Sequence, residues 1–313
     1  MSPGAAVVVE GLRKAYGEVR AVDGVDLAID TGEVVALLGP NGAGKTTTVE
    51  ILEGYRRRDA GRVEVLGEDP GQAGRRYRER IGIVLQEAGF EDQFSVAELV
   101  RLHAGYDPHP RPVDATIEVV GLGDKRDARV KTLSGGQRRR LDLALGIIGD
   151  PELLFLDEPT TGFDPSARRK AWVLVDRLRD LGTTILLTTH YMDEAEHLAD
   201  RLVVIDRGRV VAEGTPAQLA ASGGARTVVS FRLPPGVAAE ELPELAGAVR
   251  PSGATVDVLT PDPTGDVHAL TAWALARGVA LEELALARPS LEDVYLELVE
   301  QPVEQPVEEP GHA

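Results

Sequence analysis

The sequence predicts an α/β layer fold built on a largely parallel sheet. Three observations carry that prediction. Short apolar runs alternate with segments of helical spacing, a glycine-rich loop separates one such run from a helix, and 43% of the side chains are hydrophobic. The 313 residues suit roughly two domains.

The elements follow in order. Residues 1–38 read as β-rich: Ala6–Val9 is apolar, Val19–Ile29 alternates around Gly24, and Glu33–Leu38 is a continuous buried-looking run. Gly39–Gly44 is a loop, Lys45–Leu52 has helical spacing, and Arg62–Leu66 and Ile81–Leu85 read as further strands. From Ser95 to Gly149 the pattern is helical, punctuated by Pro108, Pro110 and Pro112. Leu153–Leu156 is a short apolar strand. It is followed by a helix over Ser166–Leu181, the strand Thr183–Thr189 and a short helix over Met192–Ala199. Composition changes near Ser222-Gly223-Gly224. Beyond it, Thr227–Leu233 and Thr255–Leu259 read as strands, and Glu240–Val249, Val267–Arg277 and Leu291–Val299 as helices. The last thirteen residues, a short Pro/Glu repeat, have nothing to bury and are expected to be disordered.

Charge and composition exclude several functions. There are 34 basic and 51 acidic side chains, a net charge of −17 that divides as −7 over residues 1–220 and −10 over 221–313. Such a chain is repelled by phosphate backbones, so direct nucleic-acid binding is not expected. The arginine clusters at 56–58, 75–80 and 138–140 are interrupted by acidic or apolar residues and read as solvated faces. The absence of cysteine removes disulfides, cysteine-ligated metals and thiol nucleophiles. No secretory signal is visible, and no apolar run approaches the ~18–20 residues that cross a bilayer. The chain is therefore not expected to be a channel or carrier by itself.

Two motifs carry chemistry. Gly39-Pro40-Asn41-Gly42-Ala43-Gly44-Lys45-Thr46 fits the phosphate-loop pattern G-x-x-x-x-G-K-[ST], with a buried strand before it and a helix after. Its glycines let the backbone curl so that N–H groups face phosphate oxygens, and the helix adds its positive dipole end. Lys45 is placed to reach the β and γ phosphates and the Thr46 hydroxyl to ligate Mg²⁺. Only five lysines accompany 29 arginines, yet lysine occupies position 45. Downstream, Leu153–Leu156 carries Asp157 and Glu158 to the carboxyl edge of the sheet, where open α/β sheets bind ligands. Taken alone, this pair is equally a Glu-Pro turn capping a strand. After a phosphate loop, Asp157 is suited to hold Mg²⁺ through water and Glu158 to polarise an attacking water.

Leu133-Ser134-Gly135-Gly136-Gln137, lying shortly before that strand, resembles the signature peptide of the ABC-family ATPases. The resemblance covers residues 5–222. It implies a P-loop NTPase (RecA-like) core, an antiparallel β subdomain, a helical signature subdomain at about residues 88–150, and a small C-terminal α+β region at 224–300. It implies ATP and Mg²⁺ as ligands, with Gly39 to Thr46 and Thr47 around the phosphates and Thr46, Gln86 and Asp157 at the metal. Tyr16 corresponds to the aromatic that stacks on adenine, Gln86 to the glutamine lid, Asp164 to the loop after Glu158, and His190 to the switch histidine. Glu158, His190 and Gln86 are thus the expected catalytic set. Tyr16 taken alone is a packing residue, Gln86 an ordinary strand end, and the other five histidines (103, 109, 197, 268 and 312) read as structural.

In the family the signature peptide faces nucleotide held by a second subunit. The resemblance therefore implies a head-to-tail homodimer or paired ATPase subunit. Ser134, Gly135, Gly136 and Gln137 would complete the partner's pocket, and Arg138–Arg140 would add positive potential there. ATP then closes the dimer and hydrolysis opens it. One departure is Phe163, where the family most often has Leu.

Gly214-Thr215-Pro216, the extension beyond residue 224 and the segment from Arg288 to Tyr295 resemble the ATP-binding subunits of daunorubicin-resistance-type drug or antibiotic exporters. That implies a separate integral-membrane permease and a location at the cytoplasmic membrane face. The C-terminal region either regulates the dimer or is a passive dimerisation appendage. Phe90 and Phe94 form part of a socket for a permease helix or belong to the helical core. The alternative function is a soluble ABC ATPase remodelling a nucleic-acid or ribosomal complex. A small-molecule kinase would leave the signature peptide without a role.

Overall fold

The computed structural model describes residues 4–84, 89, 92–222, 227–234, 236–287 and 291–300. The chain divides into two compact units, Met1–Pro216 and Ala217–Ala313.

In the first unit, β1 (Ala5–Tyr16) and β2 (Val19–Asp30) pair antiparallel, as do β1 and β4 (Ala60–Val65), giving a three-stranded sheet in the order β2-β1-β4. A second sheet holds six strands. These are β3 (Val34–Leu38), β5 (Ile81–Val84), β6 (Leu153–Asp157), β7 (Thr184–Thr189), β8 (Arg201–Asp206) and β9 (Arg209–Gly214), in the order β5-β6-β7-β3-β8-β9. All its pairings are parallel except β8 with β9. β3 and β7 are buried at every position, which is why they read as unbroken apolar or Thr-rich runs rather than alternating ones. One core joins the sheets, with Val7, Leu12, Val25 and Ile29 packed with Leu37, Phe155, Leu186 and Ile205.

Helices cross between the strands. They are α1 (Lys45–Leu52), the single turn α2 (Arg75–Arg78), α3 (Val96–Ala104), α4 (Val113–Val119), α5 (Gly135–Ile147), α6 (Pro165–Asp180) and α7 (Met192–Leu198). α3 and α5 begin with complete capping boxes, Ser95 with Glu98 and Ser134 with Gln137. α6 begins with Asp164 as N-cap and Pro165 at its first position, where a missing N–H costs nothing. Phe94 is half-buried just ahead of α3, while Gln86 and Phe90 lie outside the described residues. Among the described residues no helix is long and apolar enough to cross a membrane.

α8 (Pro216–Ser222) runs across the division. The second unit contains β10 (Thr227–Arg232), β11 (Ala248–Ser252), β12 (Thr255–Thr260), α9 (Pro263–Arg277), β13 (Glu282–Ala287) and α10 (Leu291–Glu300). Its antiparallel sheet runs β11-β12-β10-β13, and Val229, Phe231, Val256, Val258 and Leu270 form its own core. The helix expected over Glu240–Val249 is absent. Only a single 3₁₀ turn forms at Ala239–Glu241, and the chain then enters β11. Pro243 lacks the N–H a helix needs. A Cβ at Gly247 would come within 2.7 Å of the Thr260 and Val258 side chains, so the backbone there lies flat against β12. Residues 288–290 of the exporter-like segment lie outside the described residues.

Candidate active site

The phosphate-loop segment leaves β3 and ends in α1 with a backbone that only glycine accommodates. A Cβ at Gly39 would sit 2.2 Å from the Ile205 carbonyl oxygen. One at Gly44 (φ +104°) would sit 2.2 Å from that of Ala21. Gly44 caps α1 without a side chain, so the first-turn N–H groups are left open. The Lys45 Nζ folds back over the loop and donates to the carbonyls of Gly39 (2.6 Å) and Pro40 (3.1 Å). Burial pushes the Lys45 ammonium down from its usual range, against the pull of the Glu158 and Asp157 carboxylates. Thr46 is exposed and Thr47 half-buried beside it.

Asp157 and Glu158 stand at the end of β6, and β7 orients both. The Thr188 hydroxyl donates to Asp157 Oδ1 (2.5 Å) and accepts from the Glu158 N–H (3.1 Å). The two carboxylates separate for a sharper reason than strand alternation: Glu158 is in the left-handed region (φ +45°), unusual for a side chain of its size. That turn brings Glu158 Oε1 to 3.2 Å from His190 Nδ1, while Oε2 accepts from the Thr161 hydroxyl at 3.0 Å. His190 is 41% exposed, and its ring lies 4.1 Å from that of Tyr191. Tyr191 is overlain by the Arg168 guanidinium at 4.2 Å, and Arg168 also pairs with Asp193 at 2.9 Å.

The remaining expected residues lie apart. Tyr16 is 42% exposed with Lys14 and Arg56 about its ring, a face suited to a stacked planar ligand. Asp164 spends Oδ1 on the N–H groups of Ser166 and Ala167, which hold its carboxyl below the usual range. The Ser134 N–H donates to Gln137 Oε1 (2.9 Å) and the Gln137 N–H to Ser134 Oγ (3.3 Å). Among the described residues no hydrogen bond joins this cap to the phosphate loop of the same chain. Each of Arg138–Arg140 has a partner within the chain, an acid for the first two and a neutral carbonyl for the third. Arg138 pairs with Asp92, Arg140 donates to the Gly121 carbonyl, and Arg139 turns inward to Asp142. Burial pushes the Asp142 carboxyl up to about 6 despite that partner. Sequence reasoning missed Thr188, Arg168 and the inward turn of Arg139. The signal for the last was Asp142, an acid at i+3 on an otherwise apolar stretch.

The donor set fits Mg²⁺ bound with a nucleotide. Among the described residues no three His, Asp or Glu side chains converge as a cage. One hydroxyl (Thr46) and one carboxylate (Asp157), completed by water and phosphate, is how Mg²⁺ is usually held.

The ABC transporter family pattern matches residues 22–161, and that of a C-terminal domain of ABC transporter domain-containing-like proteins matches 227–290. The daunorubicin resistance ATP-binding protein DrrA3 of Streptomyces coeruleorubidus is 42% identical over 306 residues, covering 94% of this chain and 95% of its own. The Nod factor export ATP-binding protein I of Ralstonia nicotianae is 41% identical over 306 residues, covering 93% and 92%. Among solved structures, cbiO1 of Clostridium perfringens, part of an ABC transporter complex, superposes with a TM-score of 0.64 at 30% identity. It covers 69% of this chain and 91% of its own. An ABC transporter cassette in its ADP conformation superposes at 0.61 with 25% identity, covering 69% and 92%.

Proposed function

The chain belongs to the ABC transporter family of ATP-binding proteins, and from that premise we propose how its residues divide the work of ATP-driven export through a separate permease. The carrying observation is the Glu158–His190 contact at the end of β6, beside a curled loop whose lysine is buried.

Gly39, Pro40, Asn41, Gly42, Ala43 and Gly44 present the backbone to the phosphates. Lys45 exchanges the Gly39 and Pro40 carbonyls for phosphate oxygens. Tyr16 stacks on the base. Thr46, Asp157 and Gln86 hold Mg²⁺, which when bound neutralises charge on the phosphate oxygens. Glu158 accepts a hydrogen bond from the attacking water and takes up its proton. The left-handed turn and the Thr161 hydroxyl fix which oxygen faces that water. His190 holds the other oxygen and senses the transferred phosphate.

Ser134, Gly135 and Gly136 complete the pocket of a second copy packed head to tail, with Asp164 and Gln137 shaping the two ends of that contact. Closing on ATP and opening after hydrolysis is the mechanical output, delivered to an integral-membrane permease at the cytoplasmic face of the membrane. The relatives named for daunorubicin resistance and Nod factor export support a drug, antibiotic or lipid-like cargo. Unit two, matching the C-terminal domain pattern, regulates or stabilises the dimer. The test is extraction from membranes in detergent. The chain should travel with a polytopic membrane protein whose substrate efflux stops with Lys45→Ala. Complexes that dissolve with RNase and ignore detergent would overturn export.

A further inference from the structure

Arg139 lies one turn inside α5, five residues beyond the Ser134 cap, and its side chain is 10% exposed. Its guanidinium reaches across to the end of β6. Nε donates to the Pro159 carbonyl (3.1 Å) and Nη2 to those of Asp157 (2.9 Å) and Glu158 (3.4 Å). Nη1 is anchored on Asp142 Oδ2 at 2.8 Å. Three consecutive carbonyls thus face one rigid fork. They face it because the chain turns sharply at Glu158, whose left-handed conformation is unfavourable for a non-glycine residue unless its surroundings enforce it. From the β7 side, Thr188 holds the Glu158 N–H, so this residue is clamped by two side chains acting on its backbone. A neutral side chain at 139 lacks the donors, and a lysine gathers its three on one nitrogen, so it cannot span the three carbonyls and Asp142 as the planar fork does.

We propose that Arg139 is a positioning residue for hydrolysis. It holds the left-handed turn that aims Glu158, and it ties that turn to the helix whose N-terminus carries Ser134, Gly135 and Gly136. α5 and the hydrolytic carboxylate then move as one body, and engagement of the signature end by a second copy's nucleotide is reported to the chain's own site. The inference rests on the reading of Glu158 as the group that orients water.

The test separates aiming from packing. Replacing a buried ion pair by apolar side chains of similar volume is often neutral or stabilising, so Arg139→Met with Asp142→Leu keeps the fold while removing the fork. Single-turnover ATP hydrolysis by the full chain, at concentrations where the dimer forms, should fall about 30-fold with nucleotide affinity within threefold, the pattern of a lost transition-state contact. It should still unfold cooperatively, its melting temperature lowered by no more than the loss of the carbonyl hydrogen bonds accounts for. Wild-type turnover in this folded double variant would overturn the proposal. Should the double variant not fold, Arg139→Lys decides. It retains charge and volume, so turnover should drop roughly tenfold without loss of melting temperature, and unchanged turnover overturns the proposal. Glu158→Gln runs in parallel. If it too hydrolyses ATP normally, the role of Glu158 fails first. If it is inert while the Arg139 variants are active, only the role of Arg139 fails.

Discussion

Helices α1 and α5 begin with the same problem, four backbone N–H groups without a helical partner, and meet it in opposite ways. At α1 the chain supplies no cap, no first-turn acid and a loop whose Gly39 and Gly44 have no room for a Cβ. At α5 the chain closes the end itself with Ser134 and Gln137. A Cβ at Gly135 would meet nothing within 4 Å, and one at Gly136 only the Ala167 methyl at 3.8 Å. The glycines of α1 are required by their own chain. No contact within the chain requires those of α5, and under the proposed function that open space is where a second copy's phosphate would approach.

That contrast breaks most readily at Gly44. Gly44→Ala should destabilise the first unit by about 3 kcal/mol through backbone strain and a 2.2 Å clash, read as a lowered melting temperature with nucleotide binding lost alongside. Gly135→Ala is the matched experiment. Its melting temperature and nucleotide affinity should match the wild type while steady-state hydrolysis falls about tenfold, a loss seen only when two copies meet. Equal instability in both variants would erase the distinction. Ser134→Ala sharpens it. Losing the cap should cost about 1 kcal/mol, measurable as faster amide exchange in the first turn of α5.

An effect that depends on pH belongs to the far end of α1. Glu53 is buried there as the C-cap, and burial, with Asp157 and Glu50 nearby, pushes its carboxyl up to about 8. The native state holds a proton that the unfolded chain releases near 4.5, so stability is lost as pH rises from about 4.5 to about 8. Glu53→Gln should leave the nucleotide-free melting temperature unchanged near pH 4.5 and raise it by about ten degrees above pH 8. A parallel shift at both pH values would contradict the buried-proton account.

Much of this was legible in the sequence. β3, β6 and β7 announce themselves because strands buried on both faces are apolar throughout, and the phosphate loop follows β3 without a gap. What was not legible was mostly non-local. β8 has the composition of a buried strand, RLVVID, but its place beside β3 depends on pairing across more than 160 residues. β13 is exposed at every position and has no pattern to read. It exists because β10 offers it an edge. The helix expected at Glu240–Val249 failed where Pro243 and the close approach of Gly247 to β12 overrode apolar spacing. At the site, the residue types were evident but their aim was not. The left-handed turn at Glu158 and the inward Arg139 arise from contacts among α5, β6 and β7 that no local window contains.

The central claim is that ATP is held between two copies, with Glu158 needed only to break the bond. Its most direct measurement is the mass of Glu158→Gln in solution by sedimentation with Mg-ATP. The account predicts a nucleotide-dependent dimer that persists because it hydrolyses hardly at all, returning to monomer when nucleotide is removed. A variant that stays monomeric at saturating ATP, or that forms the dimer and turns over at the wild-type rate, would contradict it.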